Sequence, residues 1–147
     1  MAAYNKCQDF VEQLCTGVHN FTAAGHVIRA MLLTATDAPV ATDTVRADWT
    51  SQPTGTGYTA NGEDVQNTLA EAAGTATVTG TKIVWTAGAA DWTAFRYVGL
   101  YNDTPAAPVD PLIAWWDYGS NLTLGNGETF TIKFNNGDPT GTIFTVA

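Results

Sequence analysis

Basic side chains are scarce in this sequence. Six Lys and Arg stand against fourteen Asp and Glu, a net charge of −8, so the chain lacks the positive field that neutralising a phosphate backbone requires. Nucleic-acid binding is not expected, and an acidic chain has no electrostatic attraction to anionic membranes. Charged residues of both signs make up only 14% of the chain, well under the roughly 25% of ordinary soluble domains. Long apolar runs are missing too: none approaches the roughly 18 residues of a membrane span. Met1-Ala-Ala-Tyr-Asn-Lys6 is followed by Asp9 and Glu12, which breaks the uninterrupted apolar stretch of a cleavable secretory signal. Cysteine is limited to Cys7 and Cys15. On a helix, their spacing separates them by about 12 Å of rise, too far for a disulfide; two buried thiols are expected.

Groups suited to catalysis are equally thin. His19 and His26 flank a turn and could pair with Asp9 or Cys15, but no nucleophile elbow, His-Glu-x-x-His helix or Walker loop accompanies them. A structural or surface role is expected for each. Two Cys and two His do not form the close knuckles of a zinc site. Asp103 and Asp110 share one loop, and Asn135, Asn136 and Asp138 another. Oxygen-rich turns suit calcium, yet Asn and Asp are favoured in turns on backbone grounds alone, and the turn reading is preferred. Neither an enzyme nor a cofactor or metal is expected.

What is plentiful is aromatic and turn chemistry. Phe, Trp and Tyr reach 11% with five Trp, and the polar share is carried by Thr, Asn and Gly, which favour strands and turns over helices. At 147 residues one domain can bury roughly two thirds of its unfolded surface. Tyr4, Cys7, Val11, Leu14 and Val18 recur at three- and four-residue steps, which predicts an amphipathic helix over 4–18, closed by Gly17, with 1–20 as an N-terminal helix or arm. Residues 26–34 predict a central strand. A loop at 36–43, a short helical turn at 44–49 and an exposed Thr-, Gly- and Pro-rich loop at 50–62 follow.

Beyond Glu63 the pattern alternates. Strands are expected at 75–79 and 82–86, linked as a hairpin by Gly80-Thr81. Residues 92–101 predict a strand covered on both faces, with Phe95, Tyr97 and Tyr101 opposite Arg96, Val98 and Leu100. Adjacent Trp115 and Trp116, on a strand at 111–119, must point to opposite faces. Leu122-Thr-Leu124, Gly125-Asn-Gly127 and 129–134 read as strand, tight turn, strand, and 142–146 as a closing strand. About eight short strands at spacings of roughly 8–12 residues imply a single mainly β domain over 1–147, an antiparallel sandwich or barrel of jelly-roll type with one N-terminal helix. The flat faces of Trp115, Trp116 and Tyr118 also suit a sugar platform, although core or interface use is preferred.

Several segments resemble a family of small virion proteins of tailed bacteriophages. They are Met1-Ala-Ala-Tyr-Asn-Lys6, Gly17-Val-His-Asn20, Ala38-Pro-Val-Ala-Thr42, Phe95-Arg-Tyr-Val-Gly-Leu-Tyr-Asn-Asp-Thr104, Leu112-Ile-Ala-Trp-Trp-Asp-Tyr-Gly119 and Leu124-Gly-Asn-Gly-Glu-Thr-Phe-Thr131. The resemblance implies a non-enzymatic head decoration, or cement, protein on the outer head surface of the virion, assembled in the host bacterial cytoplasm. It implies the major capsid protein as partner; the amphipathic N-terminal segment and the surplus of aromatics point to self-association, as a homotrimer by analogy with shell proteins on threefold positions. A tail or fibre component that binds a glycan or receptor is the alternative. Candidate interface residues are Tyr4, Phe10, Trp49, Tyr58, Trp115 and Trp116.

Overall fold

Short runs of Thr, Val, Ile and aromatic residues punctuated by turns give ten strands in the computed structural model, which describes residues 2–147. In chain order the elements are β1 (Tyr4–Lys6), α1 (Asp9–Cys15), β2 (Ile28–Leu33), β3 (Glu63–Asp64), β4 (Thr68–Ala72), β5 (Thr75–Thr81), β6 (Ile83–Thr86), β7 (Phe95–Asn102), β8 (Leu112–Leu122), β9 (Thr129–Ile132) and β10 (Thr140–Val146). Single 3-10 turns occur at Arg46–Asp48 and Phe134–Asn136. All strand pairs are antiparallel, and the sheets pack as a mainly β, sandwich-like fold. No helix among the described residues is long and apolar enough to cross a membrane.

The first sheet runs β1-β8-β7-β2-β3. The apolar run of β2 is buried at five of its six residues because neighbours pair on both sides and layers cover both faces. Leu32 pairs with Val98 and Val98 with Trp116, whereas Met31 pairs with Gly99 and Gly99 with Trp115. Directly paired residues share a face, so Trp115 and Trp116 lie on opposite faces, as the alternation requires. The Trp115 face is roofed by the connection between β2 and β3, whose Trp49 lies directly over Gly99. Trp49 is 1% exposed and its Nε1–H donates to Asp43 Oδ2 at 3.0 Å. Burying an indole of this size removes about 200 Å² from water, a gross gain of about 5 kcal/mol.

The remaining strands, a three-stranded sheet β10-β5-β4 and a two-stranded sheet β6-β9, correct two expected hairpins. Gly80-Thr81 is no turn: β5 and β6 follow one another with a single residue between, the first pairing with β4 and β10 and the second with β9. The local hairpin is β4–β5, where Ala73 and Gly74 both take positive φ, 51° and 83°, the geometry a two-residue turn between twisted strands demands. Gly125-Asn-Gly127 does reverse the chain, with Glu128 N–H donating to the Gly125 carbonyl at 2.9 Å. The strands it joins belong to different sheets, however, β8 to the five-stranded sheet and β9 to the two-stranded one. Turn residues dictate a reversal but not the hydrogen-bonding partner. The closing strand is present as β10, paired with β5.

The N-terminal helix is shorter than its periodicity predicts. Tyr4, Asn5 and Lys6 pair with Trp116, Trp115 and Ala114 along β8; the open edge of a long strand captures residues that alone would have continued the helix. Gly17 closes α1 as expected. Its φ is 76°, Val18 N–H donates to the Gln13 carbonyl at 2.9 Å and Gly17 N–H to Leu14 at 3.3 Å, a Schellman arrangement. Cys7 is buried just before the helix, but Cys15 is exposed at its end, so only one thiol is internal.

Candidate functional site: an aromatic groove between the sheets

A groove of about 530 Å³ opens where the five-stranded sheet diverges from the two smaller sheets. Its floor and first wall come from Val98 on β7, Trp116 and Tyr118 on β8, and Tyr4 on β1; its second wall comes from Phe130 and Ile132 on β9, Phe134, and Thr142 to Thr145 on β10. The strand period places Trp116 and Tyr118 two residues apart on the same face. Tyr4 meets Trp116 edge to face at 5.5 Å between centroids, Trp116 meets Phe134 at 6.1 Å, and Tyr118 meets Phe130 at 6.3 Å. Tyr4 and Tyr118 remain 37% and 55% exposed, so the groove presents aromatic faces to the outside.

Both rims end in strand edges that are unpaired among the described residues. β1 covers the β8 edge only as far as Trp116, and beyond it that edge is free; β9 pairs only with β6 and β10 only with β5. An extended chain entering the groove therefore finds apolar side-chain pockets together with backbone donors and acceptors.

The polar groups around the groove suit binding more than proton transfer. Burial pushes the Tyr4 phenol up to about 12, with the Cys7 thiol adding a smaller effect, so this hydroxyl stays neutral. Lys133 Nζ is held by Asp138 at 2.6 Å, and Lys82 Nζ holds the other carboxylate oxygen at 2.6 Å. Hydrogen bonds from Lys133 and then Lys82 hold the Asp138 carboxyl down at about 2. Among the described residues, no three His, Cys, Asp or Glu side chains gather into a metal-holding group. Asp103 and Asp110 pair with Arg29 and Arg46 at 2.6 and 2.9 Å.

Of the six candidate interface residues, Tyr4 and Trp116 meet in the groove. Trp115 is half-buried on the roofed face. Phe10 and Trp49 are core residues, 4% and 1% exposed, and cannot serve as surface anchors in this fold. Tyr58 packs between Trp85 and Trp92 at centroid distances of 6.0 and 5.5 Å. Its hydroxyl accepts the Leu32 N–H at 3.1 Å and donates to Gln52 Oε1 at 3.0 Å; the loop at 50–62 thus folds down onto the core and is not simply exposed. Sequence periodicity did not reveal Phe130, Ile132, Phe134 and Phe144 as groove walls, because their placement depends on which sheet each strand joins.

A second polar cluster sits at the end of the first sheet. Asn102, 0% exposed at the end of β7, donates its amide to Nδ1 of His19 at 2.9 Å and to Nδ1 of His26 at 3.0 Å. His19 Nε2 bonds Gln13 Oε1 at 3.0 Å, and the Gln13 amide donates to Asp9. The His19 ring also stacks on Phe21 at 5.4 Å. Among the described residues neither His hydrogen-bonds a Cys, Ser or Thr side chain; both tie α1 and the following loop to the sheet. Compared with protein-family models, with curated proteins and with solved structures, the chain matches none of them.

Proposed function

We propose that the protein is a non-enzymatic structural protein of a tailed-phage particle, a decoration protein that docks through the aromatic groove on the outer surface of the head and stabilises the shell. The observation that carries the docking role is the open groove itself, apolar and aromatic, rimmed by the free strand edges of β8, β9 and β10. The head assignment rests on the resemblance to virion proteins. The segments 95–104, 112–119 and 124–131 that carry it supply Val98, Trp116, Tyr118, Phe130 and Thr131 of the groove. Cement must add contact area without chemistry and must avoid DNA, and an acidic domain with exposed aromatic anchors suits both needs. A segment of the major capsid protein is the groove's partner in this reading, and a homotrimer is the expected form on the shell.

Co-sedimentation with heads that lack the protein tests the proposal. Wild-type protein pellets with the heads, and the Trp116→Ala/Tyr118→Ala variant binds about 30-fold more weakly, the loss of about 2 kcal/mol usual for an aromatic anchor. Unchanged pelleting of the variant, or binding to tails alone, overturns it. The 55% exposure of Tyr118 beside Trp116 also favours a second reading, a glycan- or receptor-binding tail component. Glycan-array binding that is lost in the same variant would select that reading.

A further inference from the structure

We propose that Asn102, His19 and His26 form a proton-operated latch that holds α1 and the loop at 16–27 on the end of the first sheet, and that mild acid opens it. The geometry is restrictive. A side-chain amide nitrogen carries two hydrogens, and Asn102 directs its nitrogen at both Nδ1 atoms, 2.9 Å from His19 and 3.0 Å from His26. Each Nδ1 must therefore keep its lone pair, which puts the hydrogen of each neutral ring on Nε2. For His19 that hydrogen is donated to Gln13 Oε1 at 3.0 Å. Protonating either ring turns an acceptor into a donor facing a donor.

Rotating the Asn102 amide does not relieve the conflict. Its Oδ1 accepts the Thr104 N–H at 3.3 Å, so exchanging oxygen and nitrogen would set two donors against each other there. Asn102 is fully buried, and a buried polar group without a partner is costly. The cheaper response to protonation is to withdraw the imidazoles, and both are carried on the segment that follows α1.

The surroundings reinforce this behaviour. Phe10 from α1 and Phe21 from the loop pack against the His19 ring, and Phe144 from β10 backs both of them. The charged and titratable groups that act on it are His26, which opposes protonation, and Asp9 on α1, which favours it. Burial is the largest influence and lowers His19 to about 4 from an ordinary 6.5. The open form binds a proton at higher pH than the closed form, so between these values each unit of acidification favours opening by up to about tenfold.

Cys7 supplies an internal reporter, because it is 0% exposed immediately before α1 while Cys15 at the helix end is exposed. The experiment compares labelling of the two thiols in the intact protein by a pyridyl disulfide that reacts in acid. The Cys7-to-Cys15 labelling ratio should rise at least about tenfold between pH 7 and pH 4.5, with the far-ultraviolet circular dichroism of the strands unchanged. The step should vanish in His19→Gln/His26→Gln. In the wild-type chain, imidazole NMR should show Nε2–H tautomers at pH 7.5 and a His19 titration that coincides with the labelling step, so the test does not depend on the variant folding. A flat ratio, an unchanged step in the double variant, Nδ1–H tautomers, or loss of the strand signal at the same pH overturns the latch. These outcomes are independent of docking on a head.

Discussion

Replacing Gly99 by Ala probes how the first sheet is roofed. A Cβ at position 99 would lie 2.3 Å from Trp49 Cζ3, 2.7 Å from Cε3 and 3.0 Å from Cη2, well inside van der Waals contact. The indole has nowhere to go, being 1% exposed and tethered through Nε1 to Asp43 at 3.0 Å. The strand is equally fixed, since β7 pairs with β2 and β8 on either side. Overpacking costs about 1–3 kcal/mol, and two rigid partners put Gly99→Ala at the upper end, about 3 kcal/mol. For a chain of this length that lowers Tm by roughly 10 °C. Urea unfolding followed by Trp fluorescence should show the midpoint falling with the slope unchanged. In a Trp49→Val background, where the side chain ends short of position 99, the same replacement should cost less than about 1 kcal/mol. A Gly99→Ala protein within about 0.5 kcal/mol of wild type refutes the direct contact.

Two tryptophans of similar burial should respond differently to Phe. Trp85 Nε1 is buried without an acceptor among the described residues, whereas Trp92 Nε1–H donates to the Thr56 carbonyl at 2.9 Å. Trp85→Phe should therefore cost less than about 1 kcal/mol and Trp92→Phe about 2–3 kcal/mol by chemical denaturation; equal costs would contradict this. Acid should destabilise the fold through His19, which is lowered to about 4 chiefly by burial. A depressed histidine costs nothing above the unfolded value near 6.5, and the closed fold loses stability as pH drops from 6.5 towards 4, because the opened and unfolded chains take up the proton and the closed fold does not. The full shift is worth about 3 kcal/mol, and solvent reach to the ring reduces this to about 2 kcal/mol; His19→Gln should flatten this part of the pH–stability curve. At pH 7.5, where the latch is closed, maleimide should modify Cys15 within minutes and Cys7 far more slowly, since burial first, then Asp43 and Asp9, push the Cys7 thiol up to about 12. Modification of both at one rate would show the N-terminal segment open.

Local chemistry made much of the fold legible. The apolar run of β2, interrupted by Arg29 alone, the two-faced alternation of β7 and the Gly17 stop of α1 follow from burial and backbone preference, and each stands where the residues place it. Strand partners did not follow. Gly125-Asn-Gly127 has the chemistry of a hairpin, yet β9 finds β6 across the sandwich, because pairing depends on which edges are free after the other strands have docked. The same nonlocality drew Tyr4–Lys6 out of the helix and into β1. It also hid the site. Tyr4 and Trp116 are conspicuous as aromatics, but Phe130 and Phe134 become their neighbours only once the two smaller sheets are assembled, and Trp49 looks like a surface anchor until Gly99 is seen to receive it. Asn102 carried no sequence signal at all; it matters because β7 ends between two histidines.

A cryo-electron microscopy map of the intact particle bears most directly on the docking role. Density for this sandwich on the outer head lattice, at threefold or quasi-threefold positions and with Trp116 and Tyr118 turned onto a segment of the shell, is the predicted result. A bare shell, with the protein in the tail or with its groove facing solvent, would contradict it.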